Sequence, residues 1–373
     1  MSKRSVSEDR YLYQEQNFNK EEKMKKGWML IRVMIVLLIT GVVLVGFTPA
    51  VQSETPKVQK WQPSSWLPSG ITWDTIGYIS KYVERMSNGR LVMTPSAPGA
   101  IVPVAEQLNA VSMGVMKATF IWPGYFPGEL PVGFMHGDCF AAPRTTAELR
   151  YLYESYEDGK IMKILREEYA KHGVYLVGNL YWTLDNLMIS KVPIRGIKDI
   201  KGKKFRSSEL IALQLAHHGA GTIWTPGGEI YTMLATGGVD AITFSHAADM
   251  VAMGFHEVTK YWIKFPTAVG PAADALIVNM DVWKALPDDL KAIVEAAVEV
   301  GSGRNAFEAE LAIAEAWKFV EKHGIEVIEW SEEDARKLAA TAKIVVPKKY
   351  LKDPAFAEIF KIVGRWAAEK GYW

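Results

Sequence analysis

The sequence predicts an α/β protein built as two lobes. Helix-like segments alternate with short strand-like ones from residue 58 to the end, a pattern that pairs strands into sheets with helices on their faces. The chain has 373 residues, more than one ordinary hydrophobic core serves, which predicts two. Hydrophobic residues make up 49% and charged residues 23%, a balance that fills sizeable cores and excludes a disordered chain or a polytopic membrane protein.

Composition removes further classes. Lys and Arg number 43 against 42 Asp and Glu, so a net charge of +1 gives no field to attract nucleic acid. The one cysteine, Cys139, closes no intramolecular disulfide and excludes Cys-based zinc or iron–sulfur sites. Thirteen Trp and fifteen Tyr suit a ligand cavity as well as a core.

The first fifty residues read as an address. Lys23, Lys25 and Lys26 precede an apolar run, Val33–Phe47, that is too short to span hydrocarbon and is typical of a signal-peptide core. Val51 and Ser53 suit the positions before a cleavage site, so the expected signal peptide is 1–53 and the expected location periplasmic. An uncleaved anchor reaching back through Trp28–Ile31 is the alternative, and Arg32 interrupts it.

Val58–Gln62 alternates as a strand, and Trp73–Met86 carries apolar residues at helical spacing until Ser87-Asn88-Gly89-Arg90 stops it before strand Leu91–Thr94. The unit recurs as helix 103–113 with strand 115–121, helix 146–172 with strand Val174–Gly178, and helix 208–218 with strand Thr222–Thr225, which predicts parallel sheets. Leu187–Lys191, Lys203–Arg206 and Ala273–Met280 read as further strands. Pro287–His323 is one long helical stretch with Gly301 and Gly303 as an expected kink, followed by helices 331–343 and 354–370.

His136, Asp138 and Cys139 put imidazole, carboxylate and thiol within four residues, and they define the rival reading, an exported enzyme. Neighbours on an extended segment face opposite ways, so a loop histidine and a packed cysteine are the expectation. His217 and His218 diverge by about 100° on a helix and share no metal. HExxH, GxSxG, Walker A and a strand-borne GxGxxG are all missing from the sequence.

The informative segment begins at Arg206, which ends a strand feeding a helix N-terminus; a guanidinium there is a fork for a carboxylate. Pro226-Gly227-Gly228-Glu229 reads as a strand-to-helix turn with Glu229 capping the first turn. In order and spacing, Lys201–Ser208 (KGKKFRSS), Pro226–Leu234 (PGGEIYTML) and Gly237–Phe244 (GGVDAITF), preceded by Ser87–Leu91 (SNGRL) and Pro98–Pro103 (PGAIVP), resemble the DctP-type substrate-binding proteins of TRAP transporters. The likeness runs from about Trp61 to the C-terminus and is nearest the branch that binds 2-oxo acids and other monocarboxylates.

The resemblance implies a two-lobed periplasmic binding protein fold with hinge strands and a long helix spanning both lobes. It implies lobe I at 54–182, completed by about 266–283, lobe II at 183–265, and the long helix with the C-terminal helices at 284–373. It implies no catalysis, a small organic carboxylate held by Arg206, and membrane permease subunits as partners; a sensing module of the same fold is a further alternative. Metal-binding relatives carry Glu-Trp where this chain has Thr243-Phe244, and Gln at the place of Asp185. No cofactor is therefore expected, Asp185 and Thr243 being the positions a cation would use. Unless a cation is present, Asp185 calls for a hydrogen-bond donor on the ligand. Trp66, Trp122, Tyr125 and Trp182 are the expected aromatic walls opposite Phe244, and they predict a larger, flatter acid than pyruvate.

Overall fold

The structure, a computed structural model, describes residues 20–35, 58–139, 142–185, 187–207, 209–265, 270–346 and 348–372. Two compact units form, Met1–Lys57 and Val58–Trp373. In the first, residues 20–35 are a helix, α1, solvent-exposed along almost all its length, with Lys25 facing Glu21 and Lys26 facing Glu22 one turn apart. No helix among the described residues is long and apolar enough to cross a membrane. Most of the apolar run and the expected cleavage position after Ser53 lie outside the described residues.

The second unit opens with β1 (Gln59–Trp61), α2 (Ile71–Met86) and β2 (Leu91–Met93), the two strands pairing in parallel. Ile76, Ile79 and Val83 line one face of α2 and are fully buried, while Asn88 and Gly89 in left-handed conformation end the turn after it. α3 (Gln107–Ser112), β3 (Ala118–Ile121) and α4 (Gly133–Asp138) follow. The single helix expected over 146–172 is two, α5 (Thr146–Glu154) and α6 (Lys160–Lys171). Glu157, Asp158 and Gly159 all take positive φ between them, which a continuous right-handed helix excludes.

β4 (Val174–Trp182) continues four residues past the expected end, followed by β5 (Leu187–Ser190), β6 (Lys204–Arg206), α7 (Glu209–His217), β7 (Gly221–Ile223), α8 (Ile230–Thr236), β8 (Ala241–Ile242), α9 (Ala247–Ala252) and β9 (Tyr261–Lys264). The chain then returns along β10 (Ala272–Asn279) into α10 (Met280–Ala285), α11 (Asp288–Lys322), β11 (Glu326–Glu329), α12 (Glu332–Ala340) and α13 (Pro354–Glu369).

The sheets are mixed where parallel ones were expected. A three-stranded sheet, β3-β10-β4, is antiparallel throughout, because β10 re-enters from the other lobe and runs back between strands that left it. A six-stranded sheet, β11-β9-β5-β8-β6-β7, is parallel except at β5, which opposes both neighbours. Both sheets are sandwiched. Along β10, Ala273, Ala275 and Ile277 face a core completed by α6 and α13, while Leu276 and Val278 face one completed by α2 and the start of α11. In the second lobe Met188 faces α12, whereas Leu187 and Ile189 face α8 and α9.

The 35-residue α11 ties the lobes together: Leu290, Val294, Ala297 and Val298 pack in the first, Ala316 and Val320 in the second. It is helical through both Gly301 and Gly303. Gly301 serves close packing, since a Cβ would lie 2.4 Å from Cγ1 of the buried Ile79, whereas Gly303 has nothing within 4 Å. The two glycines should respond oppositely to alanine. Overpacking of about 1–3 kcal/mol outweighs the gain of about 1 kcal/mol in helix propensity at position 301, and only the gain remains at 303. Urea unfolding midpoints should fall for Gly301→Ala and rise for Gly303→Ala.

Candidate functional site

Register puts the site together. β6 and β8 run in parallel with Arg206 opposite Ile242, so Thr243 and Phe244, leaving β8, flank the guanidinium at the carboxyl ends of both strands. Arg206 is fully buried. The Thr225 carbonyl accepts from Nε at 3.1 Å and Nη2 at 2.7 Å, and the Thr243 carbonyl accepts from Nη1 at 3.1 Å. A guanidinium has five N–H groups, so one remains on each terminal nitrogen, the paired geometry that a carboxylate accepts. Phe244 lies 4.9 Å from the guanidinium carbon and covers it. Gly227 is where the chain passes under that ring: a Cβ there would come 2.7 Å from Phe244 Cζ. Thr243 has its hydroxyl 2.6 Å from the Ser207 hydroxyl. Glu229 makes no capping hydrogen bond, unlike the expectation for the Pro-Gly-Gly-Glu turn.

The first lobe supplies the facing wall. Trp66 is its hub, with ring centroids 6.1 Å from Trp122, 6.3 Å from Tyr125, 6.0 Å from Trp182 and 5.6 Å from Phe244. Trp122 follows β3 and Trp182 ends β4, neighbours across β10, so these rings also gather at strand ends. Tyr125 meets Trp224 at 5.2 Å, a second contact between the lobes that the sequence did not disclose although Trp224 directly follows β7.

Asp185 lies beside this cluster in a different role from the one expected. Its Oδ2 accepts from the Ala247 N–H at 3.2 Å and from the Trp317 indole at 3.0 Å, so protein donors occupy the place foreseen for a ligand donor. Its Oδ1 is buried without a partner. Burial pushes the carboxyl up, opposed by His246 and these donors. His246 links Asp185 to the rings, 6.1 Å from Trp182.

Two further acids were not foreseen. Asp249 joins the lobes directly: Oδ1 accepts from the Ile71 N–H that starts α2 at 3.2 Å, and Oδ2 accepts from the Ser245 hydroxyl at 2.7 Å. Gly70 is needed there, with φ of 91° and a Cβ that would sit 2.1 Å from Asp249 Oδ1. Asp274, on β10, is fully buried, and burial holds it well above the ordinary range against the opposing hydrogen bonds of the Trp66 and Trp182 indoles. The indole N–H groups of Trp66 and Trp182 are its polar neighbours, so the acid is held from the side of the aromatic cluster. A lone acid in the apolar run Ala272–Val278 was the only signal available in the sequence.

His136 stands on α4, not on a loop, and is fully buried. Nδ1 pairs with the Tyr169 hydroxyl at 2.9 Å and Nε2 with Asn179 Oδ1 at 2.8 Å, so both ring nitrogens are spoken for within the first lobe. Cys139 is buried, and the side chain of Asp138 lies outside the described residues. Burial lowers His136 to about 4, against the opposing Asn179 bond. The unfolded chain therefore binds a proton that the folded one refuses, and this stabilisation, complete above the ordinary value near 6.5, is lost as pH falls toward 4. Subtracting the urea-unfolding profile of His136→Gln from that of the parent should expose a loss of about 3 kcal/mol across that window.

Set beside known proteins, residues 68–353 match the bacterial extracellular solute-binding proteins, family 7, the DctP family. The chain belongs to that family. It is 25% identical over 325 residues, 86% of each chain, to a monocarboxylate 2-oxoacid-binding periplasmic protein of Nostoc sp.. Among solved structures it resembles a TRAP periplasmic solute-binding protein of Chromohalobacter salexigens with bound (S)-2-amino-1-propanol, at TM-score 0.75 and 21% identity over 84% of this chain and 96% of that one. At the same TM-score and identity, over 85% and 94%, it resembles a TRAP transporter solute-binding protein of Bordetella bronchiseptica with copurified calcium and picolinate.

Proposed function

We propose that this chain is the extracytoplasmic solute-capturing subunit of a TRAP transporter, which closes its two lobes around a small organic carboxylate and delivers it to membrane permease subunits. The observation that carries the reading is the buried Arg206 fork, three donors taken by carbonyls and one left on each terminal nitrogen, beneath a wall of aromatic rings from both lobes. Arg206 fixes the anion, Phe244, Trp66, Trp122, Tyr125 and Trp182 exclude water, and movement about β4, β10 and α11 opens and closes the site. Thr243 positions the fork through its carbonyl. Lobe I is residues 54–182 completed by 266–283, lobe II is 183–265, and 284–373 bind the two together. Residues 1–53 are a cleaved signal peptide, so protein recovered from the periplasm should begin near Glu54 on N-terminal sequencing; full-length chain in the membrane fraction overturns that part.

No catalysis enters this reading, because both ring nitrogens of His136 are engaged by neutral partners. No metal enters it either. A hard cation such as calcium asks for six or more oxygens. Here Asp185 Oδ2 faces two N–H donors, Thr243 is hydrogen-bonded to Ser207, and the described residues hold no cluster of three or more His, Cys, Asp or Glu fit for a metal.

The test is calorimetry with the solute that copurifies. Arg206→Ala should lose about 2–5 kcal/mol of binding, and Arg206→Lys should recover only part, since a point charge does not supply the fork. In the parent, EDTA in sodium-free buffer should shift Kd by less than about threefold. Unchanged affinity in a folded Arg206→Ala removes Arg206 from the site, and a large loss with EDTA restores the metal.

A further inference from the structure

Both lobes pack against the inward sides of α11, and what the middle of the helix turns to solvent is mostly apolar. Val300, Phe307 and Leu311 are 54%, 64% and 57% exposed, with Ala296, Gly303 and Ala314 open beside them. The exposed face of α12 is charged instead, Glu332 pairing with Arg336 and Glu333 with Lys337. Ala296, Val300, Gly303, Phe307, Glu310 and Ala314 alternate spacings of four and three residues, the seam of a coiled coil, and Leu311 lies beside Glu310. The stripe runs about 27 Å along the helix. A contiguous exposed apolar surface of this kind marks a contact with another molecule.

We propose that this outer stripe of α11 is where a second copy of the chain docks, the two helices running antiparallel about a two-fold axis between Gly303 and Phe307. In that register the stripe is complementary to itself. Phe307 falls opposite Gly303 of the second copy, Val300 opposite Leu311, and Ala296 opposite Ala314. Gly303 leaves room for the ring, having nothing within 4 Å of where a Cβ would stand. An in-register parallel pair sets Phe307 against Phe307 and Gly303 against Gly303, crowding one layer and emptying the next. Charge agrees with the antiparallel arrangement. Glu310 is the one charged residue of the seam, and the two-fold carries it beside Glu299 of the second copy, which Arg150 already holds, so a cation stands where the acid arrives. Arg304 and Glu308 neutralise each other on the other flank, and a net charge of +1 leaves two copies little overall repulsion. The inference is independent of which solute the cleft takes.

Sedimentation velocity of the protein recovered from the periplasm tests it across a concentration series. A single helix pair is at the small end of specific interfaces, so dimers should form with a Kd on the order of micromolar. Phe307→Glu enters the interface twice and should raise that Kd by about a hundredfold or more, with the melting profile of the dilute protein unchanged. Gly303→Ala should stabilise the dilute chain yet weaken association by about threefold or more, opposite effects that a merely structural glycine does not give. Register is read with Ala296→Cys and Ala314→Cys, made separately: a short bismaleimide should join them when the two variants are mixed and join neither to itself, Cys139 being buried. A protein that stays monomeric to millimolar concentration overturns the proposal, as does a dimer indifferent to Phe307→Glu. Cross-linking of each single variant to itself overturns the antiparallel register. If the chain is monomeric and Phe307→Glu lowers uptake by cells without changing solute affinity, the stripe is a permease contact and self-association falls, while the reading of the cleft stands.

Discussion

A permanent positive charge buried without an acidic partner governs this cleft. Arg206 is fully enclosed, and among the described residues its guanidinium meets two main-chain carbonyls and the face of Phe244, with no carboxylate in an ion pair. Carbonyl dipoles position such a group and offset part of its desolvation, but they do not neutralise it. The surroundings follow from that constraint. Thr225 and Thr243 come from two different strand ends, so the charge is held only when β6, β7 and β8 are in register. The aromatic wall keeps water from screening it, which makes an incoming anion worth more there than at the surface.

The aromatic cluster is where the two lobes meet. Its rings are tilted or edge-on to each other at 5.6–6.3 Å around Trp66, contacts that hold area without interlocking. Closer packing lies elsewhere, along β10, buried from Ala272 to Val278, and in α11, which is packed against Ile79 at Gly301.

Much of this was legible in the sequence because it is local. Arg206 at a strand end, Phe244 two residues beyond a strand, and Trp122 and Tyr125 in a Gly/Pro loop are each placed by neighbours in the chain, and the ordered motifs from Lys201 to Phe244 supplied the rest. What was not legible depends on distant partners. The fate of Asp185 was decided by Ala247 and by Trp317, 132 residues away, and nothing near it in sequence announces either. Strand direction escaped for the same reason, since β10 finds its partners in β3 and β4, far upstream. The break between α5 and α6 is the opposite case: Asp158-Gly159 is a turn dipeptide that tolerates positive φ, a local stop masked by the helical periodicity on either side, and only Glu157 adopts a conformation that its residue type disfavours.

The contact between Asp249 and the start of α2 joins the lobes through protein atoms alone. Part of the drive to close is thus built in, common to every solute and indifferent to its chemistry. Strengthening or weakening that contact tunes how tightly all cargoes are held without changing their ranking, which separates the strength of capture from its selectivity. It also sets how often an empty receptor presents the closed shape. A permease that recognises shape would meet unloaded carriers in that proportion, so Asp249 and Gly70 adjust the traffic of wasted encounters as well as the grip on cargo.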